Sequence, residues 1–351
     1  MRHTRQLTAL IVALAIAVAG CGDGEPEQTG TPETLTILAH DSFADAVNDE
    51  TFATFMEETG IAVEVLGGGD AGSMVNQAVL TKDNPLADVL FGIDDTFLSR
   101  AIEEEIFVVH ESSLIDVVPE SLREPENRVT PIDYGDVCFN YDKEYFADSG
   151  LDVPADLDEL TADRYAGLIT VEHPATSSPG LAFMLATIEQ FGEDGWLDWW
   201  GEMKQSGINV VSDWETAYYT DFTRYGGESP IVMSYASSPP AEVIFAEEPL
   251  DEAPTGVIEA GCYRQTEYAG VLSGTDYTKS AGELVDFMLS VEFQERIPET
   301  WFVFPANQEA ELPQTFVEHT IIPDDPADLA PELIAENRDA WIDEWIAVME
   351  G

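Results

Sequence analysis

LTILAHDSFADAVNDETFATFMEETGIAVEVLGGGDAGSMVNQAVLTKDNPLADVLFGIDD, residues 35–95, is the stretch whose reading decides the fold. Its apolar residues change period along the chain. Leu35-Thr36-Ile37-Leu38-Ala39 is a short apolar run of the kind that forms a buried strand. Phe52, Phe55 and Met56 fall on one helical face, and Gly60 stands where a left-handed residue ends such a helix. Ile61 to Leu66 reads as a second strand, stopped by Gly67-Gly68-Gly69. Met74, Val75, Ala78 and Val79 return at helical spacing. Ala87 to Phe91 is the third strand, with Gly92 closing it. The order β-α-β-α-β predicts a parallel sheet with helices on both faces, an α/β architecture.

The pattern continues outward. Val137–Tyr141, Leu168–Val171, Ile208–Val211 and Ile231–Tyr235 read as strands. Ser178-Pro179-Gly180 opens a helix, since serine caps well and proline suits a first helical turn. Another helix is expected from about Glu215. Tyr263–Leu272 precedes a helix bearing Leu284, Val285, Phe287 and Met288. The last helix carries Trp341, Ile342, Trp345 and Met349, spaced as core residues.

Toward the N-terminus, Arg2 and Arg5 precede a run of small and apolar residues from Leu7 to Gly20. It is short for a permanent span and has the make-up of a secretory signal, residues 1–20. Val18-Ala19-Gly20-Cys21 resembles a lipobox, which makes Cys21 a candidate lipidation site on an exported protein. Residues 21–33 are small, polar and proline-containing, and form a flexible tether that cannot bury enough surface to offset ordering. About 318 residues follow from Thr34, more than one core usually serves, so two lobes are expected.

Asp and Glu number 69 against 14 Lys and Arg, a formal charge of −55. Phosphate contacts need cations, so nucleic acid is excluded as a partner. Acids spread over the whole chain fit a surface built for high salt, where repulsion is screened, and they also favour a cationic ligand. Outside Cys21 only Cys138 and Cys262 remain. Two cysteines in an exported chain are a candidate disulfide and too few for a zinc site.

Ligands of open α/β sheets sit beyond the carboxyl ends of strands. Those positions hold His40-Asp41-Ser42-Phe43, the GGGDAGS segment with Asp70, Gly92-Ile93-Asp94-Asp95, Thr176-Ser177-Ser178, Ser212-Asp213-Trp214 and Tyr235-Ala236-Ser237-Ser238. Helix starts among them offer N–H groups to an anion. Trp214 reads either as a seat for a flat organic cation or as cover for the core. The five histidines (His3, His40, His110, His173 and His319) show no metal spacing. No serine elbow or complete phosphate loop occurs, so catalysis, metal and cofactor are not implied.

Several motifs, in order, resemble the periplasmic thiamine-binding proteins of bacterial ABC importers. They are His40-Asp41-Ser42-Phe43, ADVLFGIDDTFL (87–98), PIDYGDVCFNYDK (131–143), ATSSPGL (175–181), DWETAY (213–218), MSYASSP (233–239), EFQERIP (292–298) and RDAWIDEW (338–345). The likeness runs from about Leu35 to Met349. It implies a two-lobe periplasmic-binding-protein fold of type II, with a hinge and an interlobe cleft. Lobe 1 would span 34–131 plus 269–305, and lobe 2 would span 132–268 plus 306–351. It implies no enzyme but a substrate-binding lipoprotein, most simply a monomer, that captures thiamine or a thiamine phosphate and delivers it to an ABC permease.

By the same resemblance Trp214 and Tyr235 contact the rings, Asp70 takes the acidic position, and Ser177 and Ser178 lie on the phosphate side. The late aromatic is matched by Phe302, with Trp301 beside it. Departures are His40, where the family has tyrosine before Asp41-Ser42-Phe43, and Ala241, where it has a second tyrosine. Cys138 and Cys262 lack clear counterparts; they fall on strands expected to be neighbours in the second lobe, so a disulfide is expected. The same fold for a polyamine, ferric ion or phosphonate is the nearest alternative, and a secreted hydrolase or a purely structural lipoprotein ranks below.

Overall fold

The computed structural model describes residues 30–351; the expected signal, Cys21 and nearly all of the tether lie outside the described residues. Among the described residues nine strands form one sheet: β1 Thr34–Ala39, β2 Ala62–Gly67, β3 Val89–Asp94, β4 Thr130–Asp142, β5 Ile169–Glu172, β6 Asn209–Val211, β7 Ile231–Tyr235, β8 Thr255–Val271 and β9 Phe304–Pro305. Their spatial order is β2-β1-β3-β8-β4-β7-β5-β6, with β9 on β4. β1, β2 and β3 are mutually parallel, as are β5, β6 and β7. Between these two parallel clusters run the long strands β4 and β8, antiparallel to each other. The end of β8 pairs with β3, while the end of β4 pairs with β7. The two halves of the sheet are thus stitched by two strands that belong to both.

The strand periodicity explains the layers. Leu35, Ile37 and Ala39 of β1 enter one apolar cluster with Phe43, Phe55, Val89, Phe91, Leu284 and Met288, while Leu38 enters another on the opposite face. The second cluster spans both halves of the sheet: it joins Met74, Val75 and Leu90 to Val137, Phe139, Leu181, Trp200 and Trp345. The terminal helix Pro331–Met349 ties the halves together behind the sheet. Its Trp345 packs edge-on to Trp200, with centroids 5.4 Å apart. Its buried Arg338 reaches the Phe97 carbonyl with Nη1 at 3.5 Å.

Three local expectations need correction. Gly92 does not close β3, which continues to Asp94. Gly92 sits at φ +89° in a bulge that shifts the register between Phe91 and Ile93. The bulge slips the side-chain alternation, so Ile93 joins the cluster of Leu90 and not that of Phe91. The helix expected from Glu215 is a six-residue π-helical turn, Thr216–Asp221. Ser177, not Ser178, stands at the cap of the helix Ser178–Phe191, and its hydroxyl makes no capping bond.

Cys138 and Cys262 are disulfide-bonded, with Cα atoms 4.5 Å apart. Val137 pairs with Tyr263 and Phe139 with Ile258, so Glu259–Cys262 bulges out opposite Cys138 alone. That bulge, eased by Gly261 at φ +72°, brings the second cysteine to the first.

Candidate ligand-binding cleft

A cleft of about 510 Å³ opens where the strand ends of the two halves face each other. Seven of the nine residues expected to contact the ligand line it: His40, Asp70, Ser178, Trp214, Tyr235, Trp301 and Phe302. Asp41 and Ser177 do not. Asp41 is exposed and accepts from the Gly69 N–H at 2.9 Å, fastening the glycine loop. Ser177 is fully buried with its Oγ unpartnered.

One side of the cleft is aromatic. Trp214 lies nearly parallel to Tyr218, with centroids 5.1 Å apart and 19° between planes, and Tyr219 meets the indole edge-on at 5.4 Å. The Trp214 Nε1–H donates to Ser234 Oγ at 2.9 Å, which fixes the ring. Tyr218 and Tyr225 both donate to Glu242 Oε1, at 2.8 and 2.9 Å. The π-turn brings Tyr218 and Tyr219 to the lining together, which an α-helix seen from sequence does not suggest. Tyr235 closes the inner end, its hydroxyl 3.3 Å from Gln265 Oε1. Burial, then the charges of Glu267 and Asp70, push its phenol well above the ordinary range, so it stays neutral.

The other side is charged. His40 Nδ1 accepts from the Phe43 N–H at 3.2 Å, capping the helix Asp41–Ala46. That bond places the ring proton on Nε2, which lies 3.7 Å from Glu267 Oε1. Gly92 is required here: a Cβ would fall 2.1 Å from His40 Cδ2, at a φ that side chains rarely adopt. Burial lowers the His40 pKa, but Glu267, Asp70 and Asp41 raise it by more, and the net shift is upward. Burial raises Glu267, yet His40 and the neighbouring Asp133 bring it below the usual carboxylate range. Asp133 faces Glu267 across β4 and β8. Its Oδ2 accepts from Trp301 Nε1 at 3.2 Å, and its Oδ1 has no partner. Burial, then the Glu267 charge, pushes Asp133 well above the usual range, so the two acids share one charge.

Contacts cross the mouth of the cleft. Both oxygens of Asp70 are taken by backbone: Oδ1 by the Ala71 N–H at 2.6 Å and Oδ2 by the Trp214 N–H at 3.1 Å. Gly72 donates to the Thr176 carbonyl at 3.0 Å, and a Cβ on Gly72 would lie 2.8 Å from the Ala175 oxygen. Phe302, held at φ +58°, meets Phe245 edge-on at 5.5 Å. A non-glycine residue in that region is strained and persists where packing demands it. Deeper, Ser178 Oγ donates to Asp94 Oδ2 and accepts from Gln265 Nε2 at 2.7 Å. Burial raises Asp94 to about 7, against the pull of its hydroxyl donors Ser178 and Thr96.

The sequence reading missed Glu267, Tyr218, Tyr219, Tyr225 and Phe245 as lining residues. Tyr218 lay inside a quoted motif, DWETAY, and was the available signal. Glu267 stands in mid-strand, where an acid reads as solvent-facing.

A family model described as bacterial extracellular solute-binding protein matches residues 84–321. A thiamine-binding periplasmic protein of Brucella suis is 28% identical over 319 residues, 90% of this chain and 92% of that protein. The namesake from Escherichia coli is 27% identical over 317 residues, 89% of this chain and 92% of its own length. A solved structure titled periplasmic thiamin binding protein superposes with a TM-score of 0.80 at 25% identity, covering 90% of this chain and 96% of the other. The resemblance read from the motifs is thereby borne out, and so is the type II periplasmic-binding architecture.

Proposed function

Because the chain belongs to the bacterial extracellular solute-binding proteins, we propose that it captures thiamine outside the cytoplasm and hands it to an ABC permease. One observation carries the reading: a slot of rings around Trp214, Tyr218 and Tyr235 faces the carboxylates of Asp70 and Glu267. Thiamine carries a permanent thiazolium charge and a flat aminopyrimidine. Stacking and cation–π attraction suit the rings, and a carboxylate suits the cation. The printed names of the relatives support the same ligand.

The two halves of the sheet would act as lobes, with the proposed bounds 34–131 plus 269–305 and 132–268 plus 306–351. β4 and β8 would bend between them, as the strands common to both. Asp70 serves in this reading as the clasp, since its carboxylate holds the Trp214 backbone across the opening. Lipidation at Cys21 would keep the protein at the membrane, and the acidic surface would suit salty surroundings. Calorimetry and thermal melting of the purified chain with thiamine test the proposal. At a hundredfold excess over Kd, the folded state should gain about 2.7 kcal/mol. A melting curve unmoved by saturating thiamine sinks it.

A further inference from the structure

We propose that His40, as an imidazolium, occupies the seat that a cationic ligand takes, so that capture drives a proton from the ring to solvent and acid weakens capture. The inference rests on the thiamine reading and concerns the regulation of that same site. The contest is over Glu267. Of the four carboxylates that line the cleft, Asp45 is exposed and Glu215 half-buried, and Asp70 has both oxygens taken by backbone N–H groups. Glu267 is buried, and among the described residues the one cationic side chain that it faces is His40. His40 Nε2 stands 3.7 Å from Glu267 Oε1, is buried and makes no hydrogen bond. Among the described residues neither lysine nor arginine lines the cleft, so one buried carboxylate has two claimants, the ring and the ligand.

The ring has no reason of its own to be charged. Its Nδ1 accepts from the Phe43 N–H at 3.2 Å, and a second proton there breaks that cap. Burial opposes the charge, and Phe43 and Phe91 wall the ring with apolar surface. What favours the proton is the surrounding acid: Glu267 of β8 first, then Asp70 at the cap of the helix Ala71–Leu80, then Asp41 beside it in the chain. Gly92 of β3 brings only backbone to the ring. Glu267 is faced in turn by Asp133 of β4, which shares one charge with it, and by Asp94 of β3. Tyr235 of β7 also faces it and stays neutral. A permanent cation set beside Glu267 offsets the charge that keeps the proton on the ring, and it repels the imidazolium in a buried space where screening is weak. The neutral ring then regains its cap. A ligand held through an anionic group would do the reverse and draw a proton in. Linkage makes the effect reciprocal: the proton weakens the ligand by the factor by which the ligand weakens the proton.

Calorimetry of the purified chain with thiamine, in buffers of different ionisation enthalpy, counts the protons exchanged. A window from about pH 6 to about pH 8 lies above the ordinary carboxylate range and spans the imidazole one. At its acid end capture should release about one proton, and affinity should climb by up to about tenfold per pH unit, levelling once the ring of the empty cleft is neutral. In His40→Gln thiamine should release no proton, and its affinity should be flat across the window. Release that persists in His40→Gln assigns the proton to Asp94 or Asp133 and overturns the proposal. Capture by the parent with no proton exchanged, or with one taken up, also overturns it. NMR titration of the His40 imidazole in the parent needs no variant: its pKa should fall when thiamine saturates the cleft, and a value unmoved or raised is fatal to the proposal. Each of these failures leaves the thiamine reading standing, whereas no heat with thiamine at any pH overturns both.

Discussion

The two sides of the cleft are built by different means. The side of Trp214, Tyr218, Tyr219 and Tyr225 is a slab of rings, whose polar tips are tied to Ser234 and Glu242. The side of His40, Glu267 and Trp301 is a relay of charges. It runs from the Trp301 indole to Asp133, from Asp133 to Glu267, and from Glu267 to His40. Rings attract by area and shape, and the loss of one leaves the others in place. A buried relay depends on each member, because a missing partner leaves an uncompensated charge or polar atom. The first side should therefore fail gradually and without regard to pH, the second abruptly and with a pH signature.

The largest effect expected is on the scaffold behind the rings. Cys138 and Cys262 pack with Ala236, next to Tyr235. They are 124 residues apart in the chain, so replacing both by serine should cost about 5 kcal/mol of stability on loop-closure grounds. Urea denaturation measures this. Below the unfolding transition, thiamine affinity should hold. An affinity that falls in step with stability would show that the ring side needs the crosslink to keep its shape.

Next comes the ring side itself. Trp214→Ala should weaken thiamine binding by about 2 kcal/mol, roughly thirtyfold, with little dependence on pH. Trp214→Phe should recover part of the loss, because a ring can still stack on Tyr218. Isothermal titration at several pH values decides it. A strongly pH-dependent loss would mean that Trp214 acts by placing the clasped Asp70 and not by stacking.

The charged side should answer to pH. His40 has a raised pKa, so its pairing with Glu267 is present below the ordinary imidazole range and is lost as pH rises through the folded value. Glu267 has a lowered pKa, so its share is present above the ordinary carboxylate range and is lost as pH falls. Both are ionised between those limits. His40→Gln should thus cost most near about pH 5–6 and least above about pH 8, at about 1 kcal/mol. A second proton on His40 goes to Nδ1 and breaks the Phe43 cap, which limits the gain. Chemical denaturation across pH reads the difference, and a cost that is flat from acid to alkaline pH would disprove the relay.

The same contrast governs what was legible in the sequence. Local signals carried far: the apolar period of residues 35–91 gave parallel strands and their helices, and Gly60 ends its helix at φ +75°. Strand ends located most of the cleft, because loops beyond carboxyl ends converge in any open α/β sheet. Features that depend on pairing across the chain were hidden. Glu267 and Asp133 stand in mid-strand and acquire their role only when β8 lies beside β4. Gly92 looked like a strand stop because nothing local reveals that the His40 ring must lie over it. Tyr218 and Tyr219 are adjacent, so the α-helix expected from about Glu215 would turn them to different faces, and the π-turn brings both to the lining.

A further effect that grows with pH is expected at Glu172, at the end of β5. It is buried, and neither carboxylate oxygen has a hydrogen-bond partner among the described residues. Burial, then the charges of Asp70 and Asp213, pushes its pKa well above the ordinary range. The folded chain therefore holds a proton that the unfolded chain releases above about pH 4. By linkage, this residue makes stability fall as pH rises through that interval, until its folded pKa is passed. Glu172→Gln keeps the shape and removes the titration. Its melting temperature should match the parent near about pH 4 and exceed it by a margin that grows toward alkaline pH, until the folded pKa is passed. A variant less stable than the parent at pH 8 would mean that Glu172 is ionised in the folded chain, and that the acids flanking the cleft are organised around a charge and not a proton.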